Sequence, residues 1–158
     1  MKITDNSFIF KQLGKNDKFP YELLLLADPS KKMIDTYIRH SEVFTAVYQE
    51  ETIGVIALFP LEKNTAEIKN IAVKPEFQQQ GIGTFLIENT FLAAKNNGMK
   101  SIMIGTANSS IGQLLLYQKL GFEMTEIKRN FFLDHYAETI FENGIQAKHM
   151  VVLERSLK

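Results

Sequence analysis

The chain has 158 residues, enough for one domain with its own core, and its 18 basic residues balance its 18 acidic ones. That balance argues against a broad nucleic-acid or anionic-membrane footprint, so any bound anion must be held by local geometry. Cysteine is absent, which excludes disulfides, thiolate metal ligands and a cysteine nucleophile, and His40, His135 and His149 show no metal-ligand spacing.

The start, Met1 to Asn6, has no apolar signal region, and no apolar run is long enough to span a bilayer. A cytoplasmic location is therefore expected. Phe8 to Leu13 can form a first strand. Tyr21 to Ala27 reads as a short helix stopped by Asp28-Pro29, and Ser30 then caps a second helix through Arg39. Val43 to Tyr48 is rich in β-branched and aromatic residues. Gln49-Glu50-Glu51 turns it back into Ile53 to Phe59, a nearly wholly apolar run, so the pair reads as a hairpin with a buried second strand. After a turn at Pro60 to Asn64 comes a strand from Ala66 to Val73.

That strand has irregular spacing. Ile68 and Ile71 would point to opposite faces under strict alternation, whereas Ile71 and Val73 share one. Either a β-bulge near Asn70 reconciles them or the strand is buried on both faces. Gly83 to Asn97 is a helix with a broad apolar surface (Phe85, Leu86, Ile87, Phe91, Leu92, Ala94), ended by Asn97-Gly98. Ser101 to Thr106 is another strand, and strand–helix–strand implies a right-handed parallel crossover. Ser110-Ile111-Gly112-Gln113 fits a capping box that starts a last helix, closed by Gly121. Phe122 begins a strand, Asn143-Gly144 is a strong turn signal, and Met150 to Glu154 is the final strand. With early strands antiparallel and the middle pair parallel, the fold class is α/β with a mixed sheet. No internal repeat or low-complexity linker interrupts residues 1–158, so a single domain is expected.

The most informative stretch is Ile71-Ala72-Val73-Lys74-Pro75, then Gln78-Gln79-Gln80-Gly81-Ile82-Gly83-Thr84 leading straight into a helix. A loop that offers several backbone N–H groups at a helix N-terminus is an anion site, and Gly81 and Gly83 carry no Cβ to hold a ligand away. A P-loop needs Lys-Ser or Lys-Thr after its last glycine, and no lysine stands there. The dinucleotide fingerprint needs a small third residue where Leu86 stands. What remains is Gln-x-x-Gly-x-Gly, preceded by Val73-x-Pro75 and followed by Leu116-Tyr117-Gln118-Lys119-Leu120-Gly121-Phe122. The two motifs, in this order, resemble the GNAT superfamily of N-acetyltransferases, which bind acetyl-coenzyme A. The resemblance covers roughly Glu42 to Phe122.

The resemblance implies a mostly antiparallel sheet with a central, splayed parallel pair flanked by helices, the pantetheine arm of acetyl-CoA entering the splay. It implies that the backbone of Ile71, Ala72 and Val73 pairs with the pantetheine amides. By the same likeness Gln78, Gln79, Gln80, Gly81, Ile82, Gly83 and Thr84 cradle the pyrophosphate, and Asn108 touches the pantetheine arm. Tyr117 is implied as the acid that protonates the leaving thiolate. Glu67 stands where histone-acetylating members carry a general-base glutamate. No metal is implied.

From the residues alone, Tyr117 is either that acid or an amphipathic core tyrosine, and Asn108 either a ligand contact or a turn asparagine. Glu67 is a direct base, a base through water, an attractor of a cationic amine, or a solvated strand residue beside Lys69. The loop's three glutamines are neutral, which leaves phosphate attraction to N–H groups and the helix dipole. Residues 129–149, aromatic and acidic, line an acceptor pocket, form a packed hairpin, or make a homodimer contact. The expected activity is acetyl transfer to a primary amine on a small molecule or a protein, without nucleic-acid or membrane partners. A non-catalytic acyl-CoA-binding or regulatory module is the alternative.

Overall fold

Strand pairing follows the hairpins read from the sequence. The computed structural model describes residues 7–158, and the reading of Met1 to Asn6 lies outside them. The described residues divide into two compact units, the first ending at Lys100 and the second Ser101–Lys158.

In the first unit, β1 (Ile9–Gln12), β2 (Glu42–Tyr48), β3 (Glu51–Pro60) and β4 (Thr65–Val73) pair in that order, each antiparallel to the next. Gln49 and Glu50 both take positive φ to make the tight β2–β3 turn. Alternation along β3 sorts the helices. Val55 and Ala57 join Val43 and Ala72 in a core with α1 (Tyr21–Ala27), α2 (Lys31–Asp35) and the 3₁₀ turn Ile38–His40. Gly54 points the other way, against Leu86 and Ile82 of α3 (Ile82–Asn96). An aromatic chain runs with that face: Phe8 and Phe10 pack on Phe85, Phe10 stacks on Phe44, and Tyr48 meets Phe77.

α1 has the expected bounds. α2 begins at the expected cap, with Ser30 Oγ accepting the Met33 N–H, but stops at Asp35 instead of running to Arg39. The Thr36 hydroxyl and the Thr36 N–H both donate to the Met33 carbonyl, which tightens the chain into a 3₁₀ turn. The expected irregularity in β4 is a register slip: Ala57 pairs with Asn70 and Leu58 with Ile68, leaving Lys69 extra. Ala66, Ile68, Asn70 and Ala72 are buried, Asn70 and Ala72 opposite Ala57 and Val55 on the α1 face and Ala66 and Ile68 opposite Pro60 and Leu58 on the other, while Lys69 is exposed and Ile71 half-buried. On α3, Thr90 is buried and Leu92 exposed, so the apolar surface is narrower than the sequence reading made it.

In the second unit, β5 (Ser101–Ala107), β9 (Met150–Ser156) and β6 (Glu123–Lys128) pair antiparallel, with β9 between the other two. α4 (Ile111–Lys119) precedes β6, and α5 (Phe131–His135) follows it. The Asn143-Gly144 turn joins β7 (Phe141–Glu142) to β8 (Ile145–Gln146) as a separate hairpin. The capping box at Ser110 does not form. Its hydroxyl donates to Glu142 Oε1 at 2.8 Å and makes no cap bond.

Burial pushes the phenols of Tyr37, in the first unit, and Tyr117, in the second, above their ordinary value. A raised folded value means the native state keeps a proton that the unfolded chain has already lost. Stability is therefore intact below the unfolded value and falls as pH rises through about 10, by roughly 1.4 kcal/mol per pH unit for each phenol. Urea midpoints should fall increasingly as pH passes about 10 toward about 11, and Tyr37→Phe should make that fall shallower.

Candidate functional site

The phosphate-loop region is built by the end of β4 and the start of α3. Pro75 cannot continue a ladder and opens a 3₁₀ turn, Pro75–Phe77, while the Lys74 N–H makes a last bond to Ile53 at 2.8 Å. Phe77 is buried and anchors the turn. The Gln78 side chain folds back, and its Nε2 donates to the Val73 carbonyl at 2.9 Å. Gln78 thus ties the loop to the strand, a bond that joins two members of the expected cofactor set. Gln79 then takes φ 61° and Gly81 φ 84°, so the chain makes two left-handed steps before α3 begins. The first is strained for a residue with a Cβ, and the second is suited to glycine.

Gly81 is the N-cap of the 15-residue helix, and no side chain caps it. The leading N–H groups of such a helix have no partner within it and point outward along the positive end of its dipole. A Cβ built on Gly81 would meet nothing within 4 Å, so the approach is open. Ile82 is buried in the core, whereas Gly83 and Thr84 are half-buried at the surface. The nearby cation is Lys74, held 3.4 Å from Glu51. Beside Lys74, Pro75 and Glu76 lies a groove of about 600 Å³, walled opposite by Phe19, Tyr21, Leu23 and Leu26.

Further back on β4, Ile71 and Val73 are half-buried and Ala72 is buried. Glu67 lies near the other end of the strand, about 20 Å from Val73 at the usual rise per residue. Its Oε1 is 3.2 Å from Lys69 Nζ, and Lys69 in turn lies over the Phe59 ring.

In the second unit Tyr117 owes its position to a helix cap. The Phe122 N–H reaches the Tyr117 carbonyl and the Gly121 N–H the Gln118 carbonyl, with Gly121 at φ 91°. These are the two bonds of a Schellman cap, and the Phe122 ring packs edge-on against Tyr117 at 5.9 Å. Tyr117 is 4 % exposed. Burial keeps the phenol protonated well past its ordinary range.

Asn108 is occupied. Its Nδ2 donates to the Gln146 carbonyl at 3.2 Å, and its Oδ1 accepts the N–H groups of Lys148 and His149 at 2.8 and 2.9 Å. One amide hydrogen is left over. The segment beyond is pinned to the same turn, since Asn143 donates to the Ser109 carbonyl. Phe131 stacks on His135, and Phe132 on Tyr136. Among the described residues no cluster of metal-ligating side chains occurs, and no helix is long and apolar enough to cross a membrane. Sequence reasoning missed the part played by Asn70. A lone amide in the apolar run from Ala66 to Val73 was the available signal.

Comparison with known proteins agrees with this geometry. Residues 39–124 match the family profile "Acetyltransferase (GNAT) domain". The uncharacterized N-acetyltransferase YvbK of Bacillus subtilis (strain 168) is 50% identical over 144 residues, covering 90% of this chain and 92% of that one. A crystal structure of a GNAT family acetyltransferase from Elizabethkingia anophelis with acetyl-CoA bound superposes with a TM-score of 0.93 at 47% identity, over 96% of this chain and 99% of that one. A Bacillus subtilis acetyltransferase in complex with CoA gives a TM-score of 0.90 at 45% identity, over 96% and 99%. The likeness shows the expected fold class, α/β with a mixed, mostly antiparallel sheet that includes a parallel pair and is flanked by helices. The chain belongs to the GNAT family of acetyltransferases.

Proposed function

We propose that the protein moves an acetyl group from acetyl-CoA to a primary amine by direct transfer in a ternary complex. The observation that carries the reading is the open, uncapped start of α3 behind the left-handed Gly81, an N–H cradle with unobstructed approach. The solved relatives described as holding acetyl-CoA or CoA support the same donor. The family profile runs across the division at residue 100, which supports reading residues 1–158 as one acetyltransferase domain.

In this reading the N–H groups around Gly81 to Thr84 take the pyrophosphate, with Gln78, Gln79 and Gln80 shaping the loop. The backbone of Ile71 to Val73 pairs with the pantetheine amides as an added strand would. An extended donor lying along β4 brings its thioester toward the Glu67 end. The amine nitrogen attacks the thioester carbonyl, the C–S bond breaks, and the thiolate takes the proton of the Tyr117 phenol. A proton leaves the attacking nitrogen toward the Glu67 carboxylate through water, since that carboxylate is already paired with Lys69. Asn108 holds the 141–149 segment and has one amide hydrogen to offer the pantetheine arm. With no cysteine in the chain, a cysteinyl acyl-enzyme does not enter. The groove beside α1 and the aromatic stretch Phe131–Tyr136 are the places proposed to choose the acceptor.

The test is an acetyl-CoA consumption screen over an amine library, read as released thiol. Binding of acetyl-CoA with no turnover on any amine would favour the non-catalytic module.

Two substitutions probe the parts. Valine at φ 84° is sterically disfavoured, so Gly81→Val must rebuild the loop, and acetyl-CoA affinity by calorimetry should fall at least about tenfold, or about 1.4 kcal/mol. Unchanged affinity in a folded variant would sink the cradle. Tyr117→Phe keeps the ring in its cap and deletes the proton. Steady-state rates should drop about 10²-fold while acetyl-CoA affinity barely moves. A rate within about threefold of the parent, with chemistry rate-limiting, makes Tyr117 a core residue only.

A further inference from the structure

Among the buried residues of β4 one has a polar side chain, Asn70, which is 4 % exposed and shares the α1 face with Ala72. It stands where the register slips, opposite Ala57, with Lys69 looped out before it. A slip of this kind re-aims every later group on the strand, so something must hold it at one residue. The amide does so. Its Nδ2 donates to the Leu24 carbonyl in α1 at 2.9 Å and to the Tyr37 hydroxyl at 3.0 Å. Tyr37 passes the chain on, donating to Asp28 Oδ2 at 3.5 Å, and Asp28 Oδ1 accepts the Ser30 N–H that leads into α2. The Asn70 Oδ1 is buried without a partner among the described residues. Both donors of the amide are therefore committed and its acceptor is idle, so the position selects for NH₂.

We propose that Asn70 is a positioning residue for the donor: by locking the bulge to α1 and Tyr37, it sets the direction of the backbone N–H and C=O groups of Ile71 to Val73. The inference rests on reading that backbone as the surface that meets the pantetheine arm. Ile71 and Val73 pair with Ile56 and Gly54. Loss of the lock frees the bulge to migrate, which turns those groups over and draws Ala72 out of the core beneath α1.

Asn70→Asp keeps the shape and turns both donors into acceptors facing the Leu24 carbonyl. Tyr37→Phe keeps the ring and removes only the hydroxyl. The readouts are calorimetric acetyl-CoA affinity and hydrogen exchange at residues 71–73, on protein shown to be folded by near-ultraviolet circular dichroism. N70D should weaken acetyl-CoA binding about tenfold or more with faster exchange, and Y37F about threefold. The N70D defect should ease as pH falls from about 8 to about 5, because a protonated carboxyl again donates to Leu24. Parent-like affinity and exchange in both variants, with only a lowered Tm, overturns the inference while leaving acetyl-CoA as donor. Should N70D not fold, parent-like values in Y37F alone overturn it. A parent that binds no acetyl-CoA overturns the donor reading and this inference together.

Discussion

A helix start with nothing to cap it is the constraint on which the first unit turns. The leading N–H groups of α3 need acceptors, and most helices supply one from a Ser, Thr, Asp or Asn at the N-cap. Here that place is Gly81, without a side chain and in the left-handed region. The geometry is tolerated because the rest of the loop is pinned. Phe77 is buried, Gln78 is bonded back to Val73, and Ile82, at the start of the helix, is buried in the core. The loop is held by side chains pointing inward and backward, which leaves its backbone outward. An anion at this spot completes the helix as a cap would, so binding and local folding favour the same conformation. The neutral glutamines fit that arrangement, since attraction comes from the helix itself.

The two helix ends allow a comparison inside one molecule. α3 and α4 close with the same pair of backbone bonds: Met99 to Ala94 and Gly98 to Lys95 in one, Phe122 to Tyr117 and Gly121 to Gln118 in the other. In α3 the residue at the start of the cap is Ala94, and the cap forms all the same. A tyrosine is therefore not needed to end the helix. What Tyr117 and Phe122 add is an edge-to-face contact that fixes the ring against the cap.

Features governed by neighbours in sequence were legible, and features governed by distant partners were not. α1, the β2–β3 hairpin and the Asn143-Gly144 turn follow from local pattern and chain stereochemistry. The glycine loop was legible because left-handed backbone is written in residue type. Ser110-x-x-Gln113 has every local mark of a capping box, yet Glu142 takes its hydroxyl from far along the chain. Ser30 capped as expected, but the end of α2 was set by Thr36 competing for the Met33 carbonyl, a choice that period and propensity do not reveal. The spacing of Ile68 and Ile71 correctly raised a bulge near Asn70. Its lock could not be read, because the partners of Asn70 lie 46 and 33 residues earlier.

The division of labour in the proposed reaction follows from these contacts. Donor recognition draws on backbone groups and neutral side chains, so charge elsewhere remains to distinguish acceptors. Among the carboxylates of the 131–142 stretch, Glu142 is taken by Ser110, whereas Asp134 and Glu138 stay exposed. Around them Leu133, Phe141 and Ile145 show apolar surface to solvent. Exposed aromatic and aliphatic groups beside carboxylates suit an amine that carries an apolar body and arrives as an ammonium ion. Phe141 and Ile145 lie on the β7–β8 hairpin, which is tied to the turn before α4 through Asn108, Ser110 and Asn143. Within the proposed reaction, the exposed residues of this stretch are therefore where acceptor choice would be varied on a common scaffold.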